Sequence, residues 1–162
     1  MTGPMFLPGA LGAPIRVSVA TDGSQANNAS ADAVVSGDGR YVLFGSLASN
    51  LGSGDTNASW DVFERDLLLG TTTRLSTNSA GAQASGVSEH ARFGSSNSQI
   101  VFDSNAPDLV TSGDHNGSFD VFFKNLVTGV VTLASQSPAG IVGNNDSVNG
   151  VISPDGKSVA FE

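Results

Sequence analysis

A ten-residue stretch of this chain occurs twice, and the spacing of its copies limits the possible folds more than any other feature. Gly54-Asp55-Thr56-Asn57-Ala58-Ser59-Trp60-Asp61-Val62-Phe63 returns 59 residues later as Gly113-Asp114-His115-Asn116-Gly117-Ser118-Phe119-Asp120-Val121-Phe122. The same offset carries Asp66-Leu67-Leu68-Leu69-Gly70 onto Asn125-Leu126-Val127-Thr128-Gly129, apolar residues closed by a turn glycine. Upstream, Ser36-Gly37-Asp38-Gly39-Arg40-Tyr41-Val42-Leu43-Phe44 matches Ser153-Pro154-Asp155-Gly156-Lys157-Ser158-Val159-Ala160-Phe161. A third copy, Gly94 to Phe102, lies between them. That middle copy has Ser96-Asn97 in place of Asp-Gly. Asparagine is the next-best residue for a left-handed turn position, so the turn chemistry is expected to survive.

Each unit divides into four short apolar runs separated by turn signals, and no window sustains helical periodicity. In the first full copy the runs predict strands at 31–36, 41–46, 61–66 and 72–76, and in the second at 89–93, 99–104, 120–125 and 131–135. A lone fourth strand is expected at 15–20, and a first and second strand at 148–153 and 158–162. Four antiparallel strands per repeat of this length make a propeller blade, whereas a solenoid repeat is shorter and a sandwich does not repeat. The expected fold is therefore all-β, with two complete four-stranded blades and part of a third. The organisation is a flexible lead-in at 1–14, the last strand of a preceding blade and a linker at 15–30, blades at 31–87 and 88–147, and the opening of another at 148–162. Since a ring normally needs at least four blades, the chain is either a piece of a longer one or assembles with copies of itself through its open strand edges.

An apolar strand entered through Asp-Gly-x-x-Val-x-Phe, then Gly-Asp-x-Asn-x-x-x-Asp-Val-Phe, then a strand opening after Leu69-Gly70 or Thr128-Gly129, resembles the TolB-type, WD-like propeller repeats of bacterial envelope and secreted proteins. The resemblance covers residues 15–162. It implies a periplasmic or extracellular location and a non-enzymatic binding or scaffold module for a protein or glycan partner. The alternative it carries is the propeller portion of a hydrolase or peptidase whose catalytic part lies outside this chain.

Charge narrows the partners. Fifteen acidic residues against seven basic ones give a net charge of −8, which repels phosphate backbones and anionic membranes and argues against nucleic-acid partners. No stretch approaches the roughly 20 apolar residues that span a bilayer. The apolar opening lacks the basic start of a secretion signal, and the absence of cysteine leaves no disulfide or thiolate site.

The sharpest candidate site is the acidic loop between the second and third strands. Asp55, Asn57 and Asp61 place side-chain oxygens at positions one, three and seven, and Asp114, Asn116 and Asp120 repeat them. Calcium takes six to eight oxygen ligands, so three side chains with backbone carbonyls and water could hold one ion per blade. The same residue types also cap turns through their own backbone, and recurrence does not separate the two readings. Trp60 and Phe119 share a repeat position, where an aromatic either stacks on a sugar or peptide or packs between blades. His90 and His115 occupy unrelated places, and Glu89 beside His90 is expected to point to the opposite face of its strand. No nucleophile elbow, phosphate loop or zinc-helix signature occurs. Four Asn-x-Ser triplets, beginning at Asn28, Asn57, Asn116 and Asn145, are expected by chance in so Asn- and Ser-rich a chain.

Overall fold

Short runs of β-branched and aromatic residues, punctuated by Gly, Ser and Asp, become strands throughout the chain. The computed structural model describes residues 13–111 and 116–162. Within them lie β1 (Ser30–Val35), β2 (Tyr41–Ser46), β3 (Asp61–Asp66), β4 (Thr71–Arg74), β5 (Ser88–Phe93), β6 (Gln99–Ser104), β7 (Asp120–Asn125), β8 (Val131–Leu133), β9 (Val151–Ile152) and β10 (Val159–Ala160). They form sheets of order β1-β2-β3-β4, β5-β6-β7-β8 and β9-β10, antiparallel at every pairing. The expected all-β architecture of four-stranded blades is thus present.

The middle strands are buried on both faces because each sheet packs against neighbouring structure on either side. On β2 and β3, Leu43 and Val62 join Ile100, Phe102 and Phe122 of the second sheet in one buried cluster. Their alternating neighbours Phe44 and Phe63 face the other way, onto Ala20, Ala48 and Leu51. The two phenylalanine pairs are near-copies: Phe44 and Phe63 stack with centroids 5.8 Å apart, Phe102 and Phe122 with centroids 5.9 Å apart, both at 24°. Each fully buried ring contributes about 2 to 3 kcal/mol of apolar burial.

The outer strands end earlier than the apolar pattern predicts, and a serine is the cause. Leu75 and Ser76 both donate their N–H to the Val62 carbonyl, while Ser76 Oγ accepts the Val62 N–H at 3.2 Å. Ser135 does the same at Val121. A side chain there replaces the next rung of the ladder, so the chain turns away. Residues 15–20 make only an isolated bridge, Val19 to Gln25, which recurs as Thr77 to Gln83 and Gln136 to Val142.

The middle-copy turn also departs from expectation. Gly39 and Gly156 take left-handed backbones at φ 73° and 71°, but Asn97 does not. Gln99 N–H reaches the Ser96 carbonyl instead, so Ser96-Asn97 closes the hairpin by different geometry.

Adjacent blades are tied by a basic residue at one repeat position of the third strand. Lys124 Nζ on β7 donates to the Leu75 and Thr77 carbonyls, both at 2.8 Å, and to Thr77 Oγ1 at 2.6 Å. Arg65 on β3 reaches the Ala20 carbonyl at 3.3 Å and Thr72 Oγ1 at 3.0 Å. Burial of the Lys124 ammonium pulls its pKa down to about 8.

Candidate functional site

The loop entering β3 gathers two of its three predicted ligands, but onto an arginine. Arg74, the last residue of β4, sets Nε 3.2 Å from Asp61 Oδ2 and Nη2 3.2 Å from Asp55 Oδ2. Gln83 Nε2 donates to Asp55 Oδ1 at 3.1 Å and Asp61 Oδ2 at 3.0 Å, and Ser76 Oγ donates to Asp61 Oδ1 at 2.6 Å. Burial raises the Asp61 pKa, partly opposed by Ser76 and Arg74. Asn57 closes the turn: its Oδ1 accepts the Ser59 N–H, and its Nδ2 donates to the Ala84 carbonyl. A guanidinium therefore already supplies positive charge to the carboxylates of this copy.

The second copy keeps the acid and loses the arginine. Leu133 and Val142 occupy the repeat positions of Arg74 and Gln83. Asp120 is fully buried, accepts Ser135 Oγ at 2.6 Å, and accepts Asn116 Nδ2 at 3.2 Å. Asn116 also donates to the Gly143 carbonyl and accepts the Ser118 N–H. Asp114 and His115 lie outside the described residues. Among the described residues no group of three His, Asp or Glu side chains stands close enough to hold a metal ion.

The aromatic at the shared repeat position is half-buried in both copies. The Trp60 ring lies 3.4 Å from where a Cβ on Gly45 would sit, so the indole packs over the Gly45 backbone. The carbonyl of Trp60 accepts the Ser88 N–H and that of Phe119 accepts the Ser147 N–H, placing both at the joint to the next blade.

A further polar cluster lies on the first strands, where the pleat argument fails locally. β1 and β5 each carry a bulge, and at it Asp32 and His90 adopt left-handed backbones at φ 55° and 53°. The bulge swings His90 back, so Nδ1 comes within 3.8 Å of Glu89 Oε1 rather than pointing away from it. His90 Nδ1 is 3.2 Å from Asp103 Oδ2, and Nε2 is 3.9 Å from Asp32 Oδ2. Asn149 N–H also donates to Asp103 Oδ2, whereas the buried Asp103 Oδ1 has no partner among the described residues. Sequence reasoning missed Asp103 because its repeat equivalent is Gly45.

No protein-family profile matches the sequence, and no curated protein matches it. Among solved structures, TolB from Acinetobacter baumannii aligns over 85% of this chain and 27% of its own, with TM-score 0.51 and 20% identity. A candidate TolB from Agrobacterium tumefaciens aligns over 78% of this chain and 35% of its own, with TM-score 0.50 and 17% identity. Hydrazine synthase from Kuenenia stuttgartiensis gives TM-score 0.45 and 14% identity over 78% of this chain and 35% of its own. The chain thus spans about a third or less of the length of the TolB structures it resembles. Four-stranded antiparallel sheets repeating in register, together with the alignments to the two TolB structures over most of the chain, make its fold that of part of a TolB-type β-propeller.

Proposed function

We propose that the chain is a binding or scaffold module for a polypeptide partner in the bacterial periplasm or outside the cell. The observation carrying this reading is a conserved frame with variable positions around it. The stacked phenylalanine pairs keep nearly the same geometry in both copies, while the loop 79–87 after the fourth strand differs from its counterpart 138–146 at most positions, Gln83 becoming Val142 among them. Loops that vary over a rigid scaffold are where propellers and similar folds place recognition. A protein partner is favoured over a glycan because Trp60, the best sugar-stacking candidate, is engaged with Gly45. Affinity capture from a bacterial envelope extract tests this: a polypeptide retained reproducibly across salt supports it, and an empty eluate at every salt and calcium concentration refutes it.

Calcium belongs to this reading in the second copy alone, at Asp114, Asn116 and Asp120. In the first copy Arg74 supplies the positive charge; in the second Leu133 cannot. Three side-chain oxygen donors leave most of the coordination to backbone and water, so binding would be weak.

A further inference from the structure

The repeat creates a groove at each blade boundary, between the loop that follows the second strand and the hairpin ahead of the blade. In the first copy it is lined by polar and small residues, among them Asn50, Gly52 and Thr72, beside Leu51. In the second it encloses about 370 Å³ and is lined by Leu109, Val110, Val131 and Leu133, with Asn78 and Asp108 also on its wall. Leu109 matches Leu51, but Val110, Val131 and Leu133 replace Gly52, Thr72 and Arg74. Three substitutions to aliphatic residues converge on one cavity while the phenylalanine core is unchanged. Asp108 is exposed and, among the described residues, the only charged side chain on the lining; its Oδ1 accepts the Ser85 N–H.

We propose that this groove seats a short basic peptide segment, an aliphatic side chain resting against Leu109, Val131 and Leu133 and a lysine or arginine meeting Asp108. The volume lies within the range of ligand pockets, and an apolar floor with a single placed charge fixes both residue class and orientation. The net charge of −8 favours approach of a cationic segment over an anionic one. The inference rests on the polypeptide-binding reading only for the class of ligand.

The test is a backbone-amide NMR titration of the whole chain with acetyl-Ala-Leu-Lys-Ala-amide, run beside acetyl-Ala-Leu-Glu-Ala-amide. The basic peptide should shift Ala80, Leu109, Val110 and Thr111, and the acidic one should leave them still. Asp108→Asn should weaken the basic peptide about threefold to fivefold, the scale of an exposed ion pair. Ala80→Trp, at an exposed lining position, should abolish the shifts while far-ultraviolet circular dichroism and the amide resonances away from the groove remain native. Shifts that spare these four residues at millimolar peptide, or an equal response to the acidic peptide, overturn the groove. Should Ala80→Trp fail to fold, the Asp108→Asn comparison decides alone. If the envelope capture succeeds and these titrations fail, the module binds elsewhere; an empty capture with groove shifts present leaves the seat standing and removes the wider reading.

Discussion

Arg74 Nε sits 3.2 Å from Asp61 Oδ2, joining the end of one blade's fourth strand to the start of its third. The arginine side chain is 8% exposed and that of Asp61 0%. Removing one partner of a buried pair leaves an uncompensated charge, which costs about 3 to 5 kcal/mol. Arg74→Leu should therefore lower the urea midpoint strongly, and pairing it with Asp61→Asn and Asp55→Asn should recover much of the loss. Similar midpoints for the single and triple variants would mean that the ion pairs contribute little.

Calcium should raise the thermal midpoint of the wild-type chain modestly at millimolar concentration. A ligand bound only to the native state at one hundred times its dissociation constant adds about 2.7 kcal/mol. Asp120→Asn should remove the response and Asp55→Asn should not. Scanning calorimetry with calcium and with chelator distinguishes these outcomes, and a response lost equally in both variants would move the ion away from the second copy.

Glu64 on β3 lies between Leu43 and Thr73 across the sheet, and burial, assisted by the nearby Asp66, pushes its carboxyl up to about 7. The folded chain holds this proton more tightly than the unfolded one. The stability it contributes is fully present below about pH 4.5 and is lost as the pH rises through about 7. Denaturant midpoints between pH 5 and 8 should fall with rising pH, and Glu64→Gln should flatten that slope.

Ala58 has a left-handed backbone at φ 52°, where the second copy has Gly117 at φ 73°. A Cβ is disfavoured there, so Ala58→Gly should stabilise the fold by about 0.5 to 1 kcal/mol despite glycine's greater freedom when unfolded. The thermal midpoint measures it. A drop would show that the loop already accommodates the methyl group.

The blade frame was legible because it is written in a period: Phe44 and Phe102 reveal their places by returning in register, whereas the recurrence of Asp61 and Asp120 marks a shared position without saying what the carboxylates hold. Features present in one copy only were not. Arg74 lies on the outer strand, well separated in sequence from Asp55 and Asp61, and its counterpart Leu133 gives no hint of it. The approach of His90 to Glu89 depends on a bulge, and a bulge breaks the two-residue alternation by which a strand is read. The serines that stop β4 and β8 sit inside the apolar pattern, where composition gives no sign that a hydroxyl will take a ladder bond.

The ammonium of Lys124 carries a different kind of consequence. It lies on the third strand of one sheet, yet all its acceptors belong to Leu75 and Thr77, at the outgoing end of the sheet before. Lys124→Met would take the ammonium from the half-buried Thr77 oxygens and from the Leu75 carbonyl, which keeps the Thr77 N–H, at about 1 to 3 kcal/mol. The loss would be felt by the earlier blade as much as by the later one. The stability of such an array sums each unit's own strength and the coupling between nearest neighbours, and Lys124 belongs to the coupling. Hydrogen exchange after this substitution should speed up on both sides of the seam together, so that damage propagates toward the start of the chain from a residue near its end.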